Sequence, residues 1–169
     1  QRIELPETAY ASYQHPCGLL FEVPVYSKIE HVQTQASLQD DCWFNCAFPM
    51  FRAKLHCTYR AMMDENDFIE LVEDAHQMVF THEIKASGIM TRSFDFPGKK
   101  VSGVLYTLGG PVASPVQFFA SDSSRHFLRG SLYFDNAPNP DSIAPALAHL
   151  THDIEHLIET LDWTNRNAP

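Results

Sequence analysis

Four strand-like runs follow one another between residues 87 and 134 with almost nothing between them: "SGIMTRSFDF" (87–96), "VSGVLYTL" (101–108), "SPVQFFAS" (114–121) and "HFLRGSLYF" (126–134). Each is bounded by Gly/Pro/Lys or Asp/Ser turn residues. Joining two strands in parallel takes a crossover of a dozen or more residues. These gaps are too short for one, so the pairing must be antiparallel. Upstream, "CWFNCAFP" and "AKLHCTYR" read as two strands turning around Pro49 and Met50. "LLFEVPVYSKI" (19–29) reads as one more strand, with Pro24 marking an edge or bulge. Residues 1–18 read as an irregular lead-in, and 19–165 as a single globular domain.

The hydrophobic period changes twice. From Phe68, apolar residues recur at Leu71, Val72, Ala75, Met78 and Val79, the spacing of an amphipathic helix. Asp64, Asn66 and Asp67 offer N-caps, and Gly88 follows the expected end at Ala86. His82 falls on the same stripe and reads as a half-buried, hydrogen-bonded core histidine. From about Asp141 to Trp163 a second helix carries Ile143, Leu147, Leu150, Ile154, Leu157, Ile158 and Leu161 on one stripe. Pro145 should lie in or near its first turn, because deeper it would break the helix. Strands, helix, strands, helix is the order of an α+β fold, an antiparallel β-sheet flanked by helices.

With 169 residues the chain suffices for one well-packed domain. Its formal net charge of −9 disfavours nonspecific attraction to nucleic acid or anionic lipid. No run approaches the ~20 apolar residues of a membrane-spanning helix. Four cysteines suit either redox compartment: Cys17, Cys42, Cys46 and Cys57. Cys42 and Cys46 are ~13 Å apart if both lie in one strand, too far to bond to each other. Free buried thiols rank ahead of a disulfide, with a Cys46–Cys57 bridge across a hairpin as the bridged alternative. Without a CxxC knuckle, a zinc site on these cysteines is not expected.

Two clusters carry the chemistry to be weighed. His152-Asp153-Ile154-Glu155-His156 spells H-x-x-E-H, the inverted zinc-protease pattern. On the helical wheel His149, His152 and His156 lie opposite the apolar stripe, so they should face solvent and bind metal only adventitiously. The second cluster is "ASDSSRHFLRG" (120–130). A Ser/His/Asp reading would take Ser121, Ser123 or Ser124 with His126 and Asp122. There is no G-x-S-x-G elbow, and residues so close along one turn cannot easily converge on a shared point. The simpler reading makes Asp122 and Ser123 a turn. An anion site built from Arg125, His126 and Arg129 stays open, since arginines four apart on a strand project from one face. No catalytic residue and no cofactor is expected.

Longer motifs point to a family. "CWFN" with "FP" (42–49), "SPVQFFASDSSRHFLRGSLYF" (114–134) and "PNPDSIAP" (138–145) resemble the gliding motility lipoprotein GldD family of Bacteroidetes bacteria. "RIELPETAY" near the start, "FEVPVY" (21–26), "IKA" (84–86) and "DIEHLIET" with Trp163 are similar too. The resemblance implies a secreted protein facing the periplasm, lipid-anchored, on the outer membrane by expectation. Cys17, in "QHPCG", lacks the apolar leader of a lipidation site, so the anchoring cysteine is expected upstream. The resemblance further implies a part in gliding motility and type IX secretion, with partners among other motility lipoproteins such as GldJ. At the level of fold the element order also looks like the Mog1p/PsbP-like α/β/α sandwich.

Two function classes follow: a non-enzymatic assembly or scaffold factor, or a small-molecule or anion-binding domain (or hydrolase) using residues 122–129. A deep pocket converging Asp122, His126 and Arg129 would favour the second. "HFLRGSLYF" carries large apolar groups on both faces and should be a central strand covered on both sides. Arg129 would then be substantially buried and paired with acceptors, and Gly130 would mark a close approach or bulge that leaves it room.

Overall fold

The structure is a computed structural model and describes residues 5, 9–31, 41–83, 86–135 and 140–164. In chain order the elements are β1 (Tyr10–His15), β2 (Leu19–Pro24), β3 (Lys28–His31), β4 (Asp41–Phe48), β5 (Ala53–Ala61) and α1 (Glu65–Glu83). Then follow β6 (Gly88–Phe96), β7 (Val101–Gly109), β8 (Val116–Ser121), β9 (His126–Phe134), α2 (Pro140–Thr160) and β10 (Asp162–Trp163).

The short turns produce what their length dictates. Seven strands form one antiparallel sheet in the order β3-β4-β5-β9-β8-β7-β6. β4 and β5 turn through a single 3-10 turn at Pro49–Phe51. β9 sits fourth of seven, the central position its two-sided apolar pattern requires. The fold is α+β, as the element order implied.

One face of this sheet buries α2. Leu150, Ile154, Leu157, Ile158 and Leu161 join Phe44, Leu55, Phe118, Leu128 and Leu132 in a single core. The stripe is buried as its period demands, although Ile143 and Leu147 at its start are only half-buried. Pro145 lies in the second helical turn rather than the first. It is exposed there, so the ring lies on the solvent side.

α1 packs against the opposite face. Ala75, Val79, Tyr106, Leu108, Phe119 and Phe127 form a second, smaller core with Phe68, Leu71 and Val72 at its margin. The helix starts where Asp64 accepts a hydrogen bond from the Asp67 N–H at 3.1 Å, while the Asp67 carboxylate accepts one from the Met63 N–H at 2.8 Å. These reciprocal caps satisfy donors that the first turn leaves open. The side chain of His82 lies outside the described residues.

Three expectations are corrected here. Residues 10–15 form a strand, β1, paired antiparallel with β2 from Tyr10↔Pro24 to His15↔Leu19. The run 19–29 is two strands in two sheets: the chain turns at Val25–Tyr26 after Pro24, and only then does β3 join the large sheet. β10, not anticipated, adds to the other side of β2, completing a three-stranded sheet. Leu19, Phe21 and Val23 of this small sheet share the α2 core. α2 is therefore sandwiched between two sheets.

That arrangement also overturns the reading of the cysteines. Cys17, just after β1, forms a disulfide with Cys42 of β4, with Cα atoms 6.3 Å apart. Cys46 and Cys57 are free and buried. They do not face each other, since Cys46 pairs with Leu55 and Cys57 with Phe44. Burial pushes the Cys46 thiol up to about 12 and holds Cys57 well above its ordinary range. Both behave as small core hydrophobes.

Candidate functional site

The turn 122–125 is built around one carboxylate. Asp122 Oδ1 accepts hydrogen bonds from the backbone N–H groups of Ser124, Arg125 and His126 at 3.0, 2.8 and 2.9 Å. Burial alone would raise its pKa, but these donors, with His126 behind them, outweigh burial and hold it below the usual carboxylate range. Ser121 Oγ donates to the His126 carbonyl at 2.6 Å and accepts from the Ser123 N–H at 2.9 Å. Ser123 takes a left-handed backbone, φ 69°. None of these serines is poised as a nucleophile toward His126.

His126 is buried under Trp163, their rings stacked at 5.1 Å and 9° apart, and its Nδ1 lies 2.6 Å from the Tyr59 hydroxyl. Burial lowers its pKa, Asp122 pulls it back up and Arg125 lowers it again; the net is downward. A neutral ring accepts the tyrosine proton at Nδ1, which suits a packed core position.

Arg129 goes elsewhere. It is one strand step of three residues from His126 and so projects from the opposite face of the sheet. Arg125 lies in the turn, outside β9, and does not share a face with it. The structure therefore joins Asp122 to Arg125 and His126 through the turn and leaves Arg129 apart. Arg129 is half-buried, and among the described residues it has no hydrogen bond or ion pair. On this face α1 meets β9 through Phe127 and through Met78 against Ser131, and Arg129 lies half-buried between them. Gly130 does mark a close approach, but to Phe118 rather than Arg129: a Cβ there would come within 2.3 Å of the Phe118 ring.

Where α1 stops covering the sheet, a groove of about 570 Å³ opens over β4, β5 and β9. Strand register arranges its floor as a grid. Trp43, Thr58 and Arg129 lie in one row across the three strands; Asn45, His56 and Ser131 lie in the next; Lys54 and Tyr133 begin a third. Met78 of α1 forms the wall, 3.9 Å from the Ser131 hydroxyl. Trp43 is 46% exposed. His56 meets Tyr133 edge-on, with ring centres 5.1 Å apart. Partial burial, then the Lys54 ammonium, hold the His56 imidazole below its ordinary pKa against the opposing pull of Glu30. Lys54 itself is tied to Glu30 at 3.1 Å on the rim. Alternation of exposed and buried residues along β4 and β5 was visible in the sequence, but not that α1 would be too short to cover these strands.

The α2 histidines are not a solvent-facing trio. β1 and β2 cover that side of the helix. His156 stacks on Tyr10 at 3.6 Å and bonds Glu22 at 2.9 Å; His149 lies 3.5 Å from Asp153. Only His152 is exposed. Asp153, 2% exposed, accepts hydrogen bonds from the hydroxyls of Tyr10 and Tyr26. Burial and then this carboxylate push both phenols well above their usual range. Among the described residues, the one group close enough to share a cation is His15 with Cys17 and Cys42, and there the two sulfurs are already bonded to each other.

α1 also turns two large apolar side chains outward, with Glu73 and His76 between them. Ile69 and Phe80, three turns apart, are 50% and 52% exposed, with His76 on the same line and edge-on to Phe80 at 5.4 Å.

The model of the gliding motility lipoprotein GldD family matches residues 1–163, nearly the whole chain. The chain belongs to the gliding motility lipoprotein GldD family. Membership ties it to gliding motility and fits a lipid-anchored envelope protein; no helix among the described residues is long and apolar enough to cross a membrane. No curated protein matches the chain.

Proposed function

We propose that the protein is a periplasm-facing, outer-membrane lipoprotein that acts as a non-enzymatic assembly factor for the gliding and type IX secretion machinery. Other motility lipoproteins such as GldJ are its partners. Family membership over residues 1–163 is the observation that carries this reading. The surface chemistry supports it. Ile69 and Phe80 are exposed on a helix whose inner stripe already packs on the sheet, which leaves two apolar anchors for another protein. The 122–129 segment supports the same side of the choice, because its carboxylate and imidazole are engaged in holding a turn and a core.

The test is recovery of partners from envelope membranes by full-length lipidated protein, followed by mass spectrometry. Wild type should recover GldJ or another motility lipoprotein, and Ile69→Ser with Phe80→Ser should lose it while folding normally. Equal recovery by both proteins would remove the α1 face from the reading. Absence of every motility lipoprotein from the wild-type sample would remove the assembly role itself.

A further inference from the structure

The groove over β4, β5 and β9 asks for a ligand that the assembly role does not supply. Arg129 is a guanidinium without an acceptor among the described residues, standing on the floor of a concave surface in a chain of net charge −9. Of the cations on this face, Lys54 is paired with Glu30 and Arg60, one row from Thr58, is also engaged, so Arg129 is the feature that would draw an anion. About 10 Å away across two strand spacings stands the exposed indole of Trp43. Between them lie side chains that hydrogen-bond in either sense: Asn45, His56 and Ser131. The volume is that of an ordinary small-molecule site.

The backbone narrows the choice. β4, β5 and β9 are each hydrogen-bonded to a strand on both sides. Neither β5 nor β9, which carry most of the floor, offers a free edge, so a peptide strand could not be added there. Recognition must come from side chains alone. A flat apolar platform, a ring of neutral hydrogen-bonding groups and one cation match a sugar ring that bears a carboxylate. Its C–H face would lie on Trp43, its hydroxyls would meet Asn45, His56 and Ser131, and its carboxylate would take the Arg129 fork. We propose that this groove binds an acidic saccharide.

Indole fluorescence reads this directly, because the other tryptophan, Trp163, is buried on the far side of the sheet. Titration of the full chain with D-glucuronate, D-galacturonate and N-acetylmuramate, with D-glucose as the neutral control, should give saturable quenching by at least one acid. Glucose should bind at least about tenfold more weakly, the value of one lost charge-assisted contact. Arg129→Gln should erase the preference for acids. Trp43→Phe should keep the binding seen by calorimetry, and Trp43→Ala should lose it. Because Trp43 is exposed, the alanine variant remains a folded protein even if the Arg129 variant does not. Absence of saturation with all three acids, equal affinity for glucose, or an unaffected Trp43→Ala would each overturn the proposal. A blank result here leaves the partner recovery through Ile69 and Phe80 untouched, so the two readings fail separately.

Discussion

The two faces of the large sheet are finished differently. On one, α2 lies over the strands and is itself roofed by a three-stranded sheet, so that part of the helix's polar side, at His149, Asp153 and His156, is packed too. On the other, α1 covers β7 and β8, meets β9 at Phe127 and Ser131, and leaves β4 and β5 open. Side chains on the first face are there to be buried: Phe44, Leu55, Leu128 and Leu132 are each at most 1% exposed. On the second, the same strands present Trp43, His56 and Arg129 to a groove. A central strand can thus belong to a core and to a recognition surface at once, because alternation sends neighbouring residues to opposite sides.

Cutting into the roofed face should hurt most. Leu150→Ala or Ile154→Ala should cost ~2–5 kcal/mol in chemical denaturation, since each removes a fully buried aliphatic group. Near-neutral results would mean that α2 does not pack as described.

Next in size is the tie between the sheets. Replacing Cys17 and Cys42 together with serine closes no loop in the unfolded chain and should cost about 3 kcal/mol. The third comparison separates two histidines on α2. His156→Ala should cost about 1 kcal/mol through its lost stack on Tyr10 and its bond to Glu22, while His152→Ala should stay within about 0.5 kcal/mol. Equal effects would place both on one kind of surface.

Acid should act through the buried rings. His15 and His126 have folded pKa values below their ordinary one, so the unfolded chain takes up protons first as pH falls. Their contribution is therefore complete above about pH 6.5 and declines below it. Asp122, also held low, adds a second decline once pH falls under the ordinary carboxylate value. His126→Gln should flatten the first decline, measured as melting temperature against pH. Smallest of all, Arg129→Leu should leave stability nearly unchanged, because the guanidinium has no partner among the described residues to lose. A large loss would return Arg129 to the structural role its sequence first suggested.

Much of this was legible. Short turns fixed the antiparallel pairing of β6 to β9, and the 3.6-residue stripe of α2 named the residues that are buried. What escaped depended on long-range partners. Tyr10 to His15 alternate too weakly to announce a strand, since only His15 among them is buried. Without β1, nothing was available to cover His156 or to bring Cys17 beside Cys42. The pairing of Arg129 was inferred from the assumption of two complete coverings. Helix length relative to sheet width, which decides that, is not written in β9 itself.

The Cys17–Cys42 bond has a mechanical consequence. Tension entering the chain ahead of β1 and leaving it beyond β4 would pass from one sulfur to the other, and the 25-residue separation between them would carry no load. Roughly 85 Å of contour stays hidden while the bond is intact. After reduction the same load would fall on the strand pairs of β2 and β3, and that length would be let out only once they peeled apart.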